Sequence, residues 1–205
     1  MILCDIGNTS VDWYIHGECS KQGIDEFAPS GLTEIVYYIC VNAKFESTLN
    51  GLENWINISS LIEWDNYYPT MGIDRIMVCE AVRDGVIVDA GSAITVDRVH
   101  DGKFQGGFIA LGVRAAQEAY ARLSPALSVS FNFEVDLDKM AKNTPDAITV
   151  GFLAPLIHEI KSLGRPIYVT GGDAEVLSSF IEEAVVDRSL IFKGMQKLIE
   201  KGKVC

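Results

Sequence analysis

The sequence predicts an α/β fold built from two related halves. Apolar strand segments alternate with segments of helical periodicity along the chain, and one motif occurs twice. In each copy an apolar strand ends at an aspartate and a glycine follows two residues later, as Asp5-Ile-Gly-Asn-Thr9 and as Asp89-Ala-Gly-Ser-Ala93. Because this repeat indicates an internal duplication, we divide the chain into halves at 1–84 and 85–205. We expect the two turns to contribute to one site.

The first half opens with a predicted hairpin. The apolar run Met1 to Cys4 leads through the glycine turn into a second strand, Ser10 to Ile15. Residues 33–41 fit both helical and strand spacing, and we assign a helix over 32–38, followed by a strand over 37–42. Apolar residues at helical spacing predict another helix over 72–82. Strands and helices therefore alternate after the hairpin.

The second half repeats the opening arrangement and then continues with longer helices. Predicted strands cover 86–89, 94–99, the residues leading into Gly106-Gly107, and 166–170. Predicted helices cover 112–123, 144–163 and 174–184. This order is typical of a sheet with helices packed on its faces.

The composition is that of a folded protein and excludes several classes of function. The chain has 205 residues, of which 48% are hydrophobic and 22% charged, with a net charge of −11. So acidic a chain lacks the basic surface that a nucleic-acid binder needs. The N-terminal residues lack the basic and apolar regions of a signal peptide, and no apolar run is long enough to span a membrane. We therefore expect a cytoplasmic protein with no nucleic-acid or membrane partner.

The repeated turns have the chemistry of phosphate-binding loops. A glycine in a tight turn lets backbone amides approach phosphate oxygens, since no side chain holds the anion away. A third turn, Thr170-Gly-Gly-Asp173, precedes a predicted helix and is a candidate for binding adenosine or phosphate. Hydroxyl and amide groups that could bind the anion stand at Asn8, Thr9, Ser10, Ser92 and Thr95.

The aspartates that end the two strands are candidate cation ligands. A carboxylate at the end of a buried strand is costly unless it binds water, a cation or hydrogen-bond donors. Asp5 and Asp89 are therefore candidates for Mg²⁺ or a monovalent cation. The alternative is structural, because a single strand-Asp-x-Gly turn more often closes a hairpin or caps a helix. Two matched copies and a third glycine turn favour the functional interpretation.

An ordered set of motifs resembles the type III pantothenate kinases of the actin-like ATPase superfamily. The resemblance runs from the first residues to about Leu177. The motif that separates this family from other actin-like proteins is Gly72-Ile-Asp-Arg75. The set comprises Asp5 to Thr9, Gly72 to Arg75, Val88 to Ala93 with Thr95 and Asp97, Gly106 to Ile109 with Gly112, Asn143-Thr144, and Thr170 to Asp173.

The resemblance implies two ribonuclease-H-like halves with mixed sheets flanked by helices, and a homodimer. It implies ATP-dependent phosphorylation of pantothenate, the first step of coenzyme A biosynthesis, with Mg²⁺ and a monovalent cation, K⁺ or NH₄⁺. Asp74 would be the general base, Asp89 would bind the monovalent cation, and Asp5 would bind magnesium. ATP would contact Asp5, Ile6, Gly7, Asn8, Thr9, Ser10, Val11, Asp12, Ser92, Gly171 and Gly172. Pantothenate would contact Tyr67, Gly72, Ile73, Asp74, Arg75 and Thr144.

Some of these assignments have alternatives in the sequence itself. Either Tyr67 or Tyr68 could supply the aromatic contact to pantothenate, and we prefer Tyr67, with core packing as the competing role. Asp74 and Arg75 could instead form an exposed ion pair at a helix start. Asp12 stands where a basic residue is common in the family, which predicts weaker ATP binding.

Two other functions compete with the pantothenate kinase. A sugar-type kinase would use a similar aspartate base and the same phosphate turns, but it would not require Gly72-Ile-Asp-Arg75. A non-catalytic regulatory homologue would be marked by loss of an acidic site residue. Because Asp5, Asp74 and Asp89 are all present, the sequence favours an active enzyme.

Overall fold

A computed structural model describes residues 1–202 of the chain. Over these residues the chain forms ten β-strands and six α-helices. The strands are β1 (Ile2–Ile6), β2 (Ser10–Ile15), β3 (Glu18–Gly23), β4 (Val36–Cys40), β5 (Trp55–Asn57), β6 (Gly85–Ala90), β7 (Ala93–His100), β8 (Lys103–Leu111), β9 (Ile167–Thr170) and β10 (Val185–Val186). The helices are α1 (Ala43–Asn50), α2 (Ile73–Ala81), α3 (Val113–Leu123), α4 (Thr144–Ser162), α5 (Ala174–Ser178) and α6 (Leu190–Gly202).

The chain forms two compact units. Residues 1–83 and 102–104 form the first unit together with the described residues from Ser189 onward, and residues 84–101 and 105–188 form the second. The chain first passes from one unit to the other between residues 83 and 84, next to the predicted division at 84. Helix α6, however, belongs to the first unit and not to the half predicted as 85–205. Residues 203–205 of that half lie outside the described residues.

Each unit contains a five-stranded mixed sheet, and the two sheets have the same topology. Their strand orders are β3-β2-β1-β4-β5 and β8-β7-β6-β9-β10. In the first, β1 pairs antiparallel with β2 and parallel with β4. In the second, β6 pairs antiparallel with β7 and parallel with β9. The shared order confirms the duplication predicted from the sequence and the α/β fold of two ribonuclease-H-like halves.

Strand alternation gives each sheet one apolar face and one face with polar residues. In the first unit Ile2, Cys4 and Ile6 enter an aromatic-rich core with Val11 and Trp13. Leu3 and Asp5 therefore lie on the opposite face. In the second unit Val86, Val88 and Ala90 enter the larger core, which puts Ile87 and Asp89 on the opposite face. Both aspartates thus stand on the face of their sheet that turns away from these cores.

The helix predicted over residues 32–38 is wrong. Residues 36–40 form β4, which pairs parallel with β1 from Ile2↔Val36 to Ile6↔Cys40. Val36 and Tyr38 are buried in the same core as the alternate residues of β1, so strand periodicity and tertiary pairing prevail over the helical spacing. The strand predicted over 37–42 is confirmed as an element but ends earlier, because Asn42 is the N-cap of α1.

The helix predicted over 174–184 is too long, since α5 covers only Ala174–Ser178. Beyond it the backbone amides of Phe180 and Ile181 donate to carbonyls three residues earlier. The hydroxyls of Ser178 and Ser179 also donate to carbonyls three residues back. Such local bonds compete with helical hydrogen bonds, and the helix therefore ends.

The remaining predicted elements are confirmed, with small changes at their ends. The opening hairpin forms, and α2, β6, β7, β8, α3, α4 and β9 lie where the periodicity indicates. Helix α6, which packs extensively on α2 in the first unit, is not among the predicted elements. Within residues 1–202, helices long and apolar enough to cross a membrane are absent.

Candidate active site

The first aspartate turn joins β1 to β2. The Gly7 amide donates to the Ser10 carbonyl over 2.9 Å, and a Cβ atom on Gly7 would lie 3.1 Å from that oxygen. Asn8 and Thr9 are exposed at the tip of the turn. The side chains of Ile6 and Val11 are completely buried, so only the backbone groups of these two residues can contact a ligand. The turn therefore offers backbone amides and polar side chains to solvent while its apolar residues anchor it.

A row of charged side chains crosses the first sheet beside this turn. Asp5 of β1 pairs with Asp12 of β2, which pairs with Lys21 of β3. Directly paired residues point to the same face of a sheet. The Lys21 ammonium group donates to both Asp12 oxygens, over 2.8 and 3.1 Å. No basic residue follows the turn directly in sequence, but strand pairing brings Lys21 to Asp12.

Asn42 connects the first aspartate turn to helix α1. It is 7% exposed, its Oδ1 accepts from the Lys44 amide over 3.1 Å, and its Nδ2 donates to the Gly7 carbonyl over 3.4 Å. The side chain thus caps a helix and holds the turn with its two ends. Asn42 is not among the site residues predicted from the sequence. Its signal was an asparagine directly before the helical segment Ala43–Asn50.

Helix α2 begins at the Gly-Ile-Asp-Arg motif. Gly72 is the N-cap, and a Cβ atom there would collide with Oδ1 of Asp74. The same oxygen accepts from the Arg75 amide over 2.8 Å. The carboxylate therefore lies over the helix N-terminus, where its negative charge is stabilised by the helix dipole. Asp74 is partly accessible and Arg75 is 5% exposed, so the two do not form the exposed ion pair considered from sequence.

The two candidate tyrosines make different contacts. The Tyr67 hydroxyl donates to Oε1 of Glu80 over 2.9 Å, and Lys201 of α6 donates to the other Glu80 oxygen over 2.7 Å. Burial, and next the Glu80 carboxylate, raise the pKa of Tyr67, so its hydroxyl stays protonated. Tyr68 is 40% exposed, and its hydroxyl accepts from Nη1 of Arg75 over 2.5 Å. Tyr67 thus packs in the first unit, whereas Tyr68 stands at the Gly72 to Arg75 motif.

The second aspartate turn contacts the third glycine turn within the second unit. A Cβ atom on Gly171 would lie 2.5 Å from both Oδ1 of Asp89 and the Ala90 carbonyl, and Gly171 has a positive φ of 90°. The Asp173 amide also donates to the Ala90 carbonyl over 2.9 Å. Only glycine permits this approach. The structure therefore brings Asp89 and Gly171 together.

Ser92 and Gly172 remain accessible in these two turns. Ser92 is exposed, and Gly172 has open space around the position of a Cβ atom. The backbone of Gly91 and Ser92 lies against Gly112, where any Cβ atom would collide with it. The close packing holds the second turn in one conformation while leaving the Ser92 hydroxyl exposed.

Thr144 is the first residue of α4. Asn143 caps this helix by accepting from the Asp146 amide over 2.9 Å. Thr144 is exposed at a pocket of about 560 Å³. The lining residues of this pocket all belong to the segment from Tyr120 to Ile148, and Lys142 is among them. A polar or anionic group of a small molecule could be held at this helix start.

The comparisons with known proteins identify the family. A sequence profile of the type III pantothenate kinases matches residues 48–165. The type III pantothenate kinase of Sulfurimonas denitrificans is 49% identical over 205 residues, which is all of both chains. That of Helicobacter hepaticus is 40% identical over 98% of this chain and 99% of its own.

A solved structure agrees with the sequence comparisons in fold. It is a Campylobacter jejuni protein whose description assigns it provisionally to a Baf family of transcriptional activators. The two chains are 35% identical over their full lengths, with a TM-score of 0.91. Because the profile covers more than half of this chain and the relatives cover nearly all of it, the protein belongs to the type III pantothenate kinase family.

Proposed function

We propose that this protein transfers the γ-phosphate of ATP to the hydroxyl of pantothenate, giving 4'-phosphopantothenate and ADP in the first step of coenzyme A biosynthesis. The observation that supports this proposal is that a chain of this family carries both aspartate turns and the Gly72-Ile-Asp-Arg75 helix start. Each unit has an aspartate turn on the equivalent strand of its own sheet, β1 or β6, and α2 begins with Gly72-Ile-Asp-Arg75. A sugar-type kinase would need the turns but not this helix start.

The reaction needs a base for the acceptor and donors for the phosphates. The carboxylate of Asp74 takes the proton from the pantothenate hydroxyl as its oxygen bonds to the γ-phosphorus, and the bond to the ADP oxygen breaks. The guanidinium of Arg75 holds the pantothenate carboxylate through two hydrogen bonds. Backbone amides of the turn from Asp5 to Asp12 bind the phosphates, together with Ser92, Gly171 and Gly172.

The donor sets fit the cations that the family implies. Carboxylate oxygens suit Mg²⁺, and Oδ1 of Asp5 is buried at the end of β1 beside the phosphate turn. At phosphate-transfer sites Mg²⁺ is usually held by one or two carboxylates together with phosphate oxygens. When bound, this ion neutralises phosphate charge. Asp89 would hold K⁺ or NH₄⁺ in the second unit.

The same proposal includes a homodimer in the cytoplasm. Strand β8 is the edge of its sheet and exposes Ile109 and Leu111, which are 61% and 53% accessible. Exposed apolar residues on an edge strand favour coverage by another chain. The acidic net charge of −11 disfavours direct binding to nucleic acid and thus a DNA-binding regulator.

Phosphorylation of pantothenate by the purified protein tests the proposed function. Labelled pantothenate and Mg-ATP are incubated with potassium chloride or with choline chloride at equal ionic strength. We expect a phosphorylated product that depends on ATP and on potassium. Phosphorylation of N-acetylglucosamine but not pantothenate would indicate the sugar-type kinase, and no transfer to either would favour the regulatory homologue.

Asn42→Asp is expected to weaken ATP binding without unfolding the protein. Aspartate keeps the oxygen that caps α1 but puts a second oxygen against the Gly7 carbonyl, in place of the Nδ2 donor. Loss of one such hydrogen bond predicts a rise in KM for ATP of about 3- to 10-fold. Asn57→Asp is the matched control, since Asn57 also caps a helical turn in this unit. An unchanged KM for ATP in Asn42→Asp would contradict the role of Asn42.

Tyr68→Phe is expected to raise KM for pantothenate, and Tyr67→Phe to leave it unchanged. Phenylalanine at position 68 removes the hydroxyl that accepts from Arg75 and orients it. Because this hydrogen bond involves a charged group, its loss predicts a rise of about tenfold in KM for pantothenate. At position 67 the lost partner is Glu80, so thermal stability should fall instead. Steady-state kinetics and thermal melts of both variants separate these effects. A raised KM for pantothenate in Tyr67→Phe with no change in Tyr68→Phe would instead assign the substrate contact to Tyr67.

A further inference from the structure

A buried hydroxyl lies beside Asp89 in the second unit and has no part in the phosphate transfer proposed above. Oγ1 of Thr95 is inaccessible to solvent and has no hydrogen-bond partner within residues 1–202. Leaving a buried hydroxyl unsatisfied costs about 1–3 kcal/mol. Because proteins seldom retain such a group without a partner, its presence points to a ligand that this hydroxyl binds.

Strand pairing determines where the Thr95 hydroxyl lies. Thr95 of β7 is the direct antiparallel partner of Asp89 of β6, and Asp89 is the parallel partner of Thr170 of β9. Paired residues point to the same face, with Cβ atoms about 4.5–5.5 Å apart in antiparallel pairs. Thr95, Asp89 and Thr170 therefore form a row of oxygen-bearing side chains across three adjacent strands. Asp89 and Thr170 are next to Gly171, whose missing side chain leaves room for the Asp89 carboxylate.

The donor set favours a monovalent cation over a phosphate. A phosphate bound to Thr95 would lie close to the Asp89 carboxylate and be repelled by it. A cation would be attracted by the carboxylate and would accept the hydroxyl oxygen as a neutral ligand.

We propose that the Thr95 hydroxyl is a ligand of the monovalent cation, K⁺ or NH₄⁺, that Asp89 binds. This rests on the proposed function only in taking Asp89 as the cation residue. From sequence Thr95 is a candidate phosphate donor, and its pairing with Asp89 on one sheet face changes that assignment. The cation then coordinates a hydroxyl oxygen for which residues 1–202 supply no hydrogen-bond partner.

Thr95→Val tests this because valine has the same shape and lacks the hydroxyl. Thermal unfolding is measured with potassium chloride titrated against choline chloride at constant ionic strength, with and without Mg-ATP. For the unchanged protein we expect potassium to raise Tm. For Thr95→Val we expect a Tm without potassium that equals or exceeds that of the unchanged protein, and a potassium affinity at least about tenfold lower. Thr95→Ser, which keeps the hydroxyl, should retain the potassium response.

Thr149→Val is the matched control, since Thr149 is fully buried but has partners. Its hydroxyl donates to the Pro145 carbonyl and accepts from the Asn132 amide, each over 2.8 Å. This variant should lose stability at every potassium concentration. Because the readout is Tm, it is independent of whether pantothenate is phosphorylated.

Four results would overturn the proposal. The first is a potassium response in Thr95→Val equal to that of the unchanged protein, and the second is no potassium response in either protein. The third is a Tm of Thr95→Val that, without potassium, is lower than that of the unchanged protein. The fourth is loss of only the ATP-dependent shift with the potassium response intact, which would assign the hydroxyl to a phosphate.

Discussion

Asp74→Asn is expected to lower kcat by about 10²- to 10⁴-fold, the range for removing a positioned general base. Asparagine keeps an oxygen in the position of Oδ1, so the bond from the Arg75 amide and the packing over Gly72 persist. The variant loses the group that accepts a proton from the pantothenate hydroxyl. Substrate binding should be little changed, and the loss should appear in kcat rather than in KM.

Steady-state kinetics with varied pantothenate and varied ATP measures this effect. Glu46→Gln is the control, because Glu46 is an exposed acid in the first turn of α1 of the same unit. It removes the same charge from a helix start and should leave kcat unchanged. Thermal melts of both variants check that they are folded, since losing one acid near a helix N-terminus costs only about 0.3–1 kcal/mol. A folded Asp74→Asn protein with full kcat would exclude Asp74 as the base.

Gly194→Ala is expected to destabilise the first unit strongly. Gly194 lies in α6, and a Cβ atom there would overlap the carbonyl group of Met77 in α2. The carbonyl belongs to the backbone of α2 and the Cβ position is fixed by the backbone of α6, so neither can rotate away and the helices must separate. We expect a loss of about 3 kcal/mol, at the upper end of the usual cost of overpacking. For a protein of this size that corresponds to a fall in Tm of about 6–12 °C.

Gly151→Ala is the matched control for this substitution. Gly151 is an exposed residue in the interior of α4, with open space around the position of its Cβ atom. Alanine is the better helix former, so this variant should be more stable by about 0.5–1 kcal/mol. Thermal or denaturant unfolding compares the two variants directly. A Gly194→Ala protein as stable as the unchanged chain would show that α2 and α6 do not pack so closely.

The close contact of α6 with α2 matters for the site because α2 begins with Asp74 and Arg75. Lys197 of α6 donates to the Ala81 carbonyl over 2.6 Å, and Lys201 donates to Glu80 over 2.7 Å. Both bonds hold the C-terminal end of α2. Helix α6 is therefore the support of the helix that carries the proposed base.

Sequence reasoning located the motifs because they are local. A strand that ends at aspartate and glycine has the same pattern wherever it occurs, and the copies at Asp5 and Asp89 predicted the matched sheets. The Gly-Ile-Asp-Arg helix start was equally readable, because Gly72 and Asp74 interact within one turn. Helices with a long apolar pattern, such as α3 and α4, needed no distant contact to be recognised.

The contacts that depend on distant segments could not be read from the sequence. Lys21 meets Asp12 only because β2 and β3 pair, and Asn42 reaches Gly7 only because β4 lies beside β1. The helical spacing of residues 32–38 gave the wrong element for the same reason. Which of the two adjacent tyrosines faces Arg75 likewise depends on Glu80 and Lys201, which hold Tyr67 elsewhere.

The sequence by itself determined the α/β class, the duplication, the order of the motifs and the family resemblance, because these are properties of local pattern and spacing. Only the tertiary structure decided that α6 joins the first unit, that Tyr68 contacts Arg75, and that Thr95 lies beside Asp89. Each of these depends on which strands or helices pair, and burial of apolar surface across the whole chain selects that pairing.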